Sequence, residues 1–202
     1  MKEKSWFPVV YMFVVTAVFS SVVIGLTGFT GERVAANKRL GLERAVLEAL
    51  RIASPAGASG IEIHKIFLEK IVEPDTGQAG AYRLVEQGRQ KGLAIPLSGQ
   101  GFWAPMKGFI GLENDERTIR GISFYEQNET PGLGAQIMTA GFRDQFVKKR
   151  LGEAAAIRIR PITAELSENE VHAVTGATQT SGRLEKLIND SIRKWRDLGE
   201  FE

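Results

Sequence analysis

The chain of 202 residues predicts an α+β fold class: a single N-terminal transmembrane helix, then one domain with a mainly antiparallel sheet packed with helices. Three observations predict it. An uncharged apolar block stands near the start, short apolar runs separated by turn residues fill the middle, and a strongly periodic amphipathic segment closes the chain.

The apolar block comes first. Lys4 and Glu32 bracket a stretch without any charge, and within it Trp6 to Leu26 reads WFPVVYMFVVTAVFSSVVIGL. At ~1.5 Å per residue a helix of that length spans roughly 30 Å, the thickness of a bilayer core. Trp6 stands at one end, where an indole straddles the interface, and Pro8 falls in the first turn, where a missing N–H costs little. A cleaved signal peptide has a shorter apolar core and a small-x-small site, which VVIGLTG does not supply, so an uncleaved anchor is expected. Residues 1–31 are assigned to this anchor and 32–202 to the domain. Lys2 and Lys4 precede the span, while Arg33, Lys38, Arg39 and Arg44 follow it. Counted naively these charges place the domain in the cytoplasm, yet long domains translocate largely regardless of charge, and topology stays open on this ground.

In the domain, Glu32–Ile52 reads as a helix with Leu40, Val46, Leu47 and Leu50 near one face, continuing from the anchor after a break at Gly28 and Gly31. Ser54–Gly60 is a loop by composition. Strands are expected at Ile66–Val72 and Ala81–Glu86, with little further signal between Ala53 and Gly99. Lys107–Glu113 and Thr118–Tyr125 read as a hairpin turning at Asn114 and Asp115, and Ala155–Arg160 as a short strand. The last helix runs from about Thr180 to Leu198, with Leu184, Leu187, Ile188, Ile192, Trp195 and Leu198 in the i, i+3, i+4 pattern and Thr180 or Ser181 as its cap.

Composition excludes several function classes. The net charge of +2 and the scattering of basic among acidic residues, without interleaved aromatics, argue against nucleic-acid binding. Cysteine is absent, which removes disulfides, iron–sulfur clusters and Cys-anchored haem. Two histidines, His64 and His172, do not make a His-rich metal site, and no metal is expected. Any electron handled by this chain therefore needs an organic cofactor. No nucleophile triad or general base stands out, and no catalytic residue is assigned.

One segment carries chemistry. VTGATQTS, Val174 to Ser181, lies where the chain enters the final helix. Unpaired amides and the helix dipole favour an anion there, the near-bare Gly176 and Ala177 let a phosphate approach, and Thr175, Thr178, Thr180 and Ser181 supply hydroxyls. A plain N-cap with a glycine turn has the same composition.

TGATQTS resembles the [S/T]-G-A-T-x-[T/S] flavinylation motif of the FMN-binding domain family. Two further blocks resemble the C-subunit of the Na+-translocating NADH:quinone reductase within that family: ETPGLG, Glu129 to Gly134, shared with the G-subunit of the Rnf complex, and GFWAPMKGFIGLE, Gly101 to Glu113. Three blocks in order carry more weight than one tetrapeptide. The resemblance implies that a dedicated FAD-dependent flavin transferase moves the FMN moiety of FAD onto Thr178. It implies a site completed by Thr175, Gly176, Ala177, Thr180, Ser181, Glu129, Thr130, Leu133 and Trp103. Pro131, Gly132 and Gly134 make a sharp loop; Leu133 and Thr130 would offer a ring surface and a polar edge, Glu129 would accept backbone N–H groups, and Trp103 with Phe102 would support the flavin pocket or, as the alternative, fill core.

The chain departs from the family at one place: His172 stands where Asp is usual, three positions before Thr175, and in that role it would bring pH sensitivity near neutrality. His64 has no partner pattern, and Trp195 reads as core.

The function implied is a membrane-anchored electron-transfer subunit with covalent FMN, a redox part of an ion-translocating NADH:quinone reductase that catalyses no complete reaction alone. Its partners would be other subunits of that complex and the bilayer at residues 6–26, with the domain on the periplasmic side of the inner membrane. The Rnf G-subunit, a stand-alone periplasmic FMN-binding protein and a non-flavinylated assembly subunit are the alternatives.

Overall fold

A computed structural model describes residues 6–55, 57–74, 80–153 and 156–198. By compactness the chain divides after Arg39.

In the first unit, helix α1 (Trp6–Ala49, whose last ten residues belong to the second unit) is long and apolar enough to cross a membrane, with a mean hydropathy of 2.4 over its most apolar 18 residues. The hydroxyls of Ser21, Thr27 and Thr30 donate to carbonyls four residues back, at Ala17, Val23 and Leu26, so these three are satisfied within the helix. The break expected at Gly28 and Gly31 does not occur, because α1 runs through both. A glycine inside a helix costs about 1 kcal/mol but removes no hydrogen bond, whereas a proline would do both.

The second unit is a five-stranded antiparallel sheet with helices on both faces. Its strands β1 (Ile71–Val72), β2 (Tyr82–Glu86), β3 (Arg89–Gln100), β4 (Pro105–Glu113) and β5 (Ile119–Glu126) lie in sequence order. The β2–β3 hairpin closes on Gln87 and Gly88, both at positive φ, in the manner of a two-residue type I′ turn. The expected β4–β5 hairpin is present, and Asp115 fastens its turn by accepting from the amides of Arg117 and Thr118 and from the Thr118 hydroxyl. Period-two alternation sorts the strands: Leu93, Ile95, Leu97, Met106, Ile110, Leu112, Ile122 and Phe124 face one side, Ala94 and Phe109 the other.

The end of α1 and helix α2 (Gly60–Lys70) cover the Phe109 face with Val46, Leu47, Leu50, Ile63 and Phe67. Here the strand expected over Ile66–Val72 is corrected. Residues up to Lys70 are helical, and only Ile71 and Val72 pair as strand. The deciding feature is a capping box: the Ser59 hydroxyl accepts from the Glu62 amide, and the Glu62 carboxylate accepts from the Ser59 amide at 2.7 Å. Ile63 and Phe67, four apart, form the buried stripe. Ser59→Ala is expected to lower stability by about 1 kcal/mol in denaturant unfolding. The backbone and side-chain hydrogen bonds from Ser59 hold the Glu62 carboxyl below its ordinary value of 4.5. This contribution is present above the ordinary glutamate pKa and fades as pH falls through the lowered one, so the gap between wild type and Ser59→Ala should narrow in acid.

The end of α1 meets the sheet at a closely fitted point. A Cβ at Gly111 would lie 2.1 Å from the Ala49 carbonyl oxygen, and one at Gly121, its register partner, 3.0 Å from the same atom. Arg51 takes the positive φ that ends the helix, with Ile52 N–H bonded to Leu47 O and Arg51 N–H to Glu48 O. Beside it, Glu48 accepts from Ser123 and pairs with Arg143.

The other face carries a 3₁₀ turn (Gly134–Met138), helix α3 (Ala140–Arg143), a second 3₁₀ turn (Asp144–Phe146) and the long helix α4 (Thr178–Asp197). Helix α4 buries Leu184, Leu187, Ile188, Ile192 and Trp195, the stripe the sequence predicts, and Leu187 sits against Gly99 of β3. Leu198 is corrected: it stands beyond the helix, 55% exposed. Strands β6 (Arg158–Arg160) and β7 (Glu170–His172) form a small parallel pair; Ala155, where the sequence starts the former, lies outside the described residues.

Candidate functional site

Three segments far apart in sequence meet at the start of α4. The first is the turn after β3, where the Gly101 amide donates to the Ala104 carbonyl and directs the chain into β4. The second is the loop after β5, in which the amides of Leu133 and Ala135 both donate to the Thr130 carbonyl and Gly132 takes a φ of +75°. The third is the turn Val174–Ala177, closed by Ala177 N–H to Val174 O, with Gly176 also at +75°.

Glu129 joins them. Its side chain is 4% exposed, and both oxygens are engaged. Oε1 accepts from the amides of Phe102 (2.8 Å) and Trp103 (3.3 Å), and Oε2 accepts from the Thr180 hydroxyl at 2.6 Å. The amides that Glu129 was expected to accept thus belong to another loop. Trp103 Nε1 donates to Thr130 Oγ1 at 3.1 Å, a second link between the first two segments. A Cβ at Gly101 would lie 2.5 Å from Glu129 Oε1, and one at Gly134 2.5 Å from Thr180 Oγ1, so both glycines leave the room this junction needs.

The cap expected at Thr180 or Ser181 is corrected. Helix α4 begins at Thr178 with Ala177 as N-cap and no capping side chain. Thr180 is spent on Glu129, and Ser181 Oγ accepts from the Val174 amide at 3.2 Å. Both are buried within the first turn. The first amides of that turn therefore meet no side-chain acceptor among the described residues, an arrangement that suits an anion. Thr178 is exposed, and its hydroxyl makes no hydrogen bond among the described residues. Thr175 and Gly176 are exposed beside it, while Ala177 is buried.

Apolar side chains stand around this mouth. Leu133 is 45% exposed, with Cδ2 3.2 Å from where a Cβ of Gly176 would be. Trp103 is 66% exposed and meets Phe102 edge-on at 5.0 Å, so this pair does not fill core. Trp195 does, as expected. His172 lies on β7; its amide donates to Gln145 Oε1 at 2.8 Å and its ring Nδ1 approaches the Pro161 carbonyl at 3.3 Å. His64, given no role in the sequence, contacts the buried Glu43 carboxylate at 2.9 Å. No cluster of metal-ligating side chains occurs among the described residues.

Residues 101–193, from the first of these segments to the far end of α4, match the family model described as the FMN-binding domain. That match takes in all three segments of the site. Curated relatives agree. The chain is 34% identical over 115 residues to the Na(+)-translocating NADH-quinone reductase C-subunit of Vibrio alginolyticus, a match covering 55% of this chain and 45% of that one. To the protein of the same name in Neisseria meningitidis serogroup B it is 36% identical over 113 residues, covering 54% and 42%. The chain thus spans under half the length of the curated relatives it matches.

The fold is similar to that of two crystal structures. One is the Na(+)-translocating NADH-quinone reductase C-subunit from Parabacteroides distasonis, with a TM-score of 0.71 at 21% identity over 83% of this chain and 96% of that one. The other is Shewanella oneidensis NqrC, with a TM-score of 0.62 at 22% identity over 76% and 91%.

The site residues suit the family's cofactor. A phosphate fits the uncapped first turn and the bare Gly176, and a planar ring fits the exposed Leu133, Phe102 and Trp103.

Proposed function

We propose that the chain is a membrane-anchored electron-transfer subunit that carries FMN covalently on Thr178 and relays electrons within an ion-translocating NADH:quinone reductase. The observation that carries this reading is the exposed hydroxyl of Thr178 on the first residue of α4, unbonded among the described residues and beside amides that no described side chain caps. Attachment joins Thr178 Oγ1 to the FMN phosphoryl group of FAD; the pyrophosphate bond breaks, AMP leaves, and the hydroxyl proton passes to a base of the flavin transferase. The bound flavin supplies the redox chemistry.

The protein holds and orients. Amides of the first turn of α4 receive the phosphate, Gly176 keeps the approach open, and Leu133, Thr130 and Trp103 flank the ring. Thr175 and Ala177 shape the turn, and Ser181 braces it from within. Residues 1–31 serve as anchor through the apolar stretch 6–26, and 32–202 as the FMN-binding part, on the periplasmic side. The partners are the other subunits of the complex, and the relatives' shared name supports sodium as the coupling ion.

The test is the intact mass of the full chain purified from cells that also make a flavin transferase. An FMN-sized increment on the peptide bearing Thr178 supports the proposal, and a mass equal to that of the amino acids alone ends it. In the loaded chain, Leu133→Ala should shift the flavin absorption and midpoint potential without releasing the label. Unchanged spectrum and potential would exclude Leu133 as a ring neighbour.

A further inference from the structure

Nothing in the motif explains why Thr178 points outward, and the buried carboxylate of Glu129 does. Residues two apart on a helix lie about 200° around its axis from each other. Thr180, turned inward at 4% exposure, is bonded to Glu129 Oε2 at 2.6 Å. With Thr180 held there, Thr178 stands on the opposite, exposed side. The other oxygen of the same carboxylate gathers the amides of Phe102 and Trp103, which bring the exposed aromatic pair to the same mouth.

We infer that Glu129 is a positioning residue that sets the outward rotation of Thr178 and the placement of the 102–103 turn from one buried carboxylate. Both its oxygens are used and it is almost fully covered, so it acts through Thr180 and these amides without touching the flavin. Charge-assisted bonds from two N–H groups and a hydroxyl offset the cost of burying the carboxylate, and they make the junction stiff. Gly101 and Gly134 leave it no slack, because a side chain at either would occupy the space of the carboxylate or of Thr180 Oγ1.

The inference rests on the proposed attachment at Thr178, and its test is the initial rate of covalent FMN uptake. The full chain, in detergent, is incubated with FAD and a flavin transferase, and thermal unfolding is followed alongside. Glu129→Ala should slow uptake by about tenfold or more, since a small misplacement of a reacting group is costly. Glu129→Gln should stay close to the wild-type rate, because its carbonyl oxygen still accepts both amides and its amide donates to a reoriented Thr180 hydroxyl. Thr180→Val, nearly isosteric, should slow uptake as Glu129→Ala does, and the double variant should be little slower than either single one.

Wild-type uptake in Thr180→Val overturns the inference even where Glu129→Ala does not fold. Equal slowing by Gln and Ala overturns it too, since the charge and not the hydrogen-bond geometry would then matter, as does a lowered unfolding temperature with an unchanged rate. If the wild-type chain takes up no flavin, the attachment itself is refuted, and the inference falls with it.

Discussion

Thr178→Ala is expected to remove all covalent flavin and leave the fold as it is. The two halves of that expectation have separate causes. Thr178 is exposed and its hydroxyl bonds to nothing among the described residues, so its loss breaks no contact, and alanine is at ease in a first helical turn. The change in stability should stay within about 0.5 kcal/mol, as for an ordinary surface substitution. The flavin, by contrast, loses the oxygen it is joined through. Thr175, Thr180 and Ser181 are near, but Thr180 and Ser181 are buried and engaged, and Thr175 precedes the helix. None is placed to take over. In-gel fluorescence and intact mass would read the loss directly; fluorescence retained in the alanine variant would remove Thr178 from the proposal. Thr178→Ser keeps an oxygen at the same place and should recover part of the label.

The largest effect on stability is expected at Gly111. A methyl group there would sit 2.1 Å from the carbonyl oxygen of Ala49 and 2.6 Å from its carbon. Both neighbours are backbone at the tightly seated end of α1, so neither swings aside as a side chain would. Gly111→Ala should cost about 3 kcal/mol or more, at the upper end of overpacking. Gly121→Ala, whose methyl would meet the same oxygen at 3.0 Å, should cost clearly less. Denaturant unfolding of the full chain in detergent ranks the two, and a Gly111→Ala midpoint equal to wild type would mean that α1 does not sit on the sheet in this way.

Local patterns were legible in the sequence and long-range ones were not. The β4–β5 hairpin and the stripe on α4 follow from alternation and from a 3.6-residue period, both written in neighbouring residues. Helix α2 had its signature too, Ser59 three residues before Glu62, but Ile66, Phe67, Ile71 and Val72 favour extended chain and outweighed it. Strand β3 was masked by Pro96, which is tolerated because the pairing of β2 reaches only to Ala94 and leaves that side of β3 free. In the site, the position of Thr178 at the mouth of a helix was readable. The use of Thr180 was not, because a hydroxyl in a first turn looks like a cap, and its actual partner lies 51 residues away.

The junction around Glu129 also bears on how this protein can diverge. The carboxylate fills the space that a side chain at 101 or 134 would require, and Thr180 fits only beside a bare residue 134. Exchange at one of these four positions therefore demands a matching exchange at another, and drift there is channelled into concerted steps. Grafting the Thr178 turn alone onto a foreign scaffold would transplant the acceptor oxygen but not its aim.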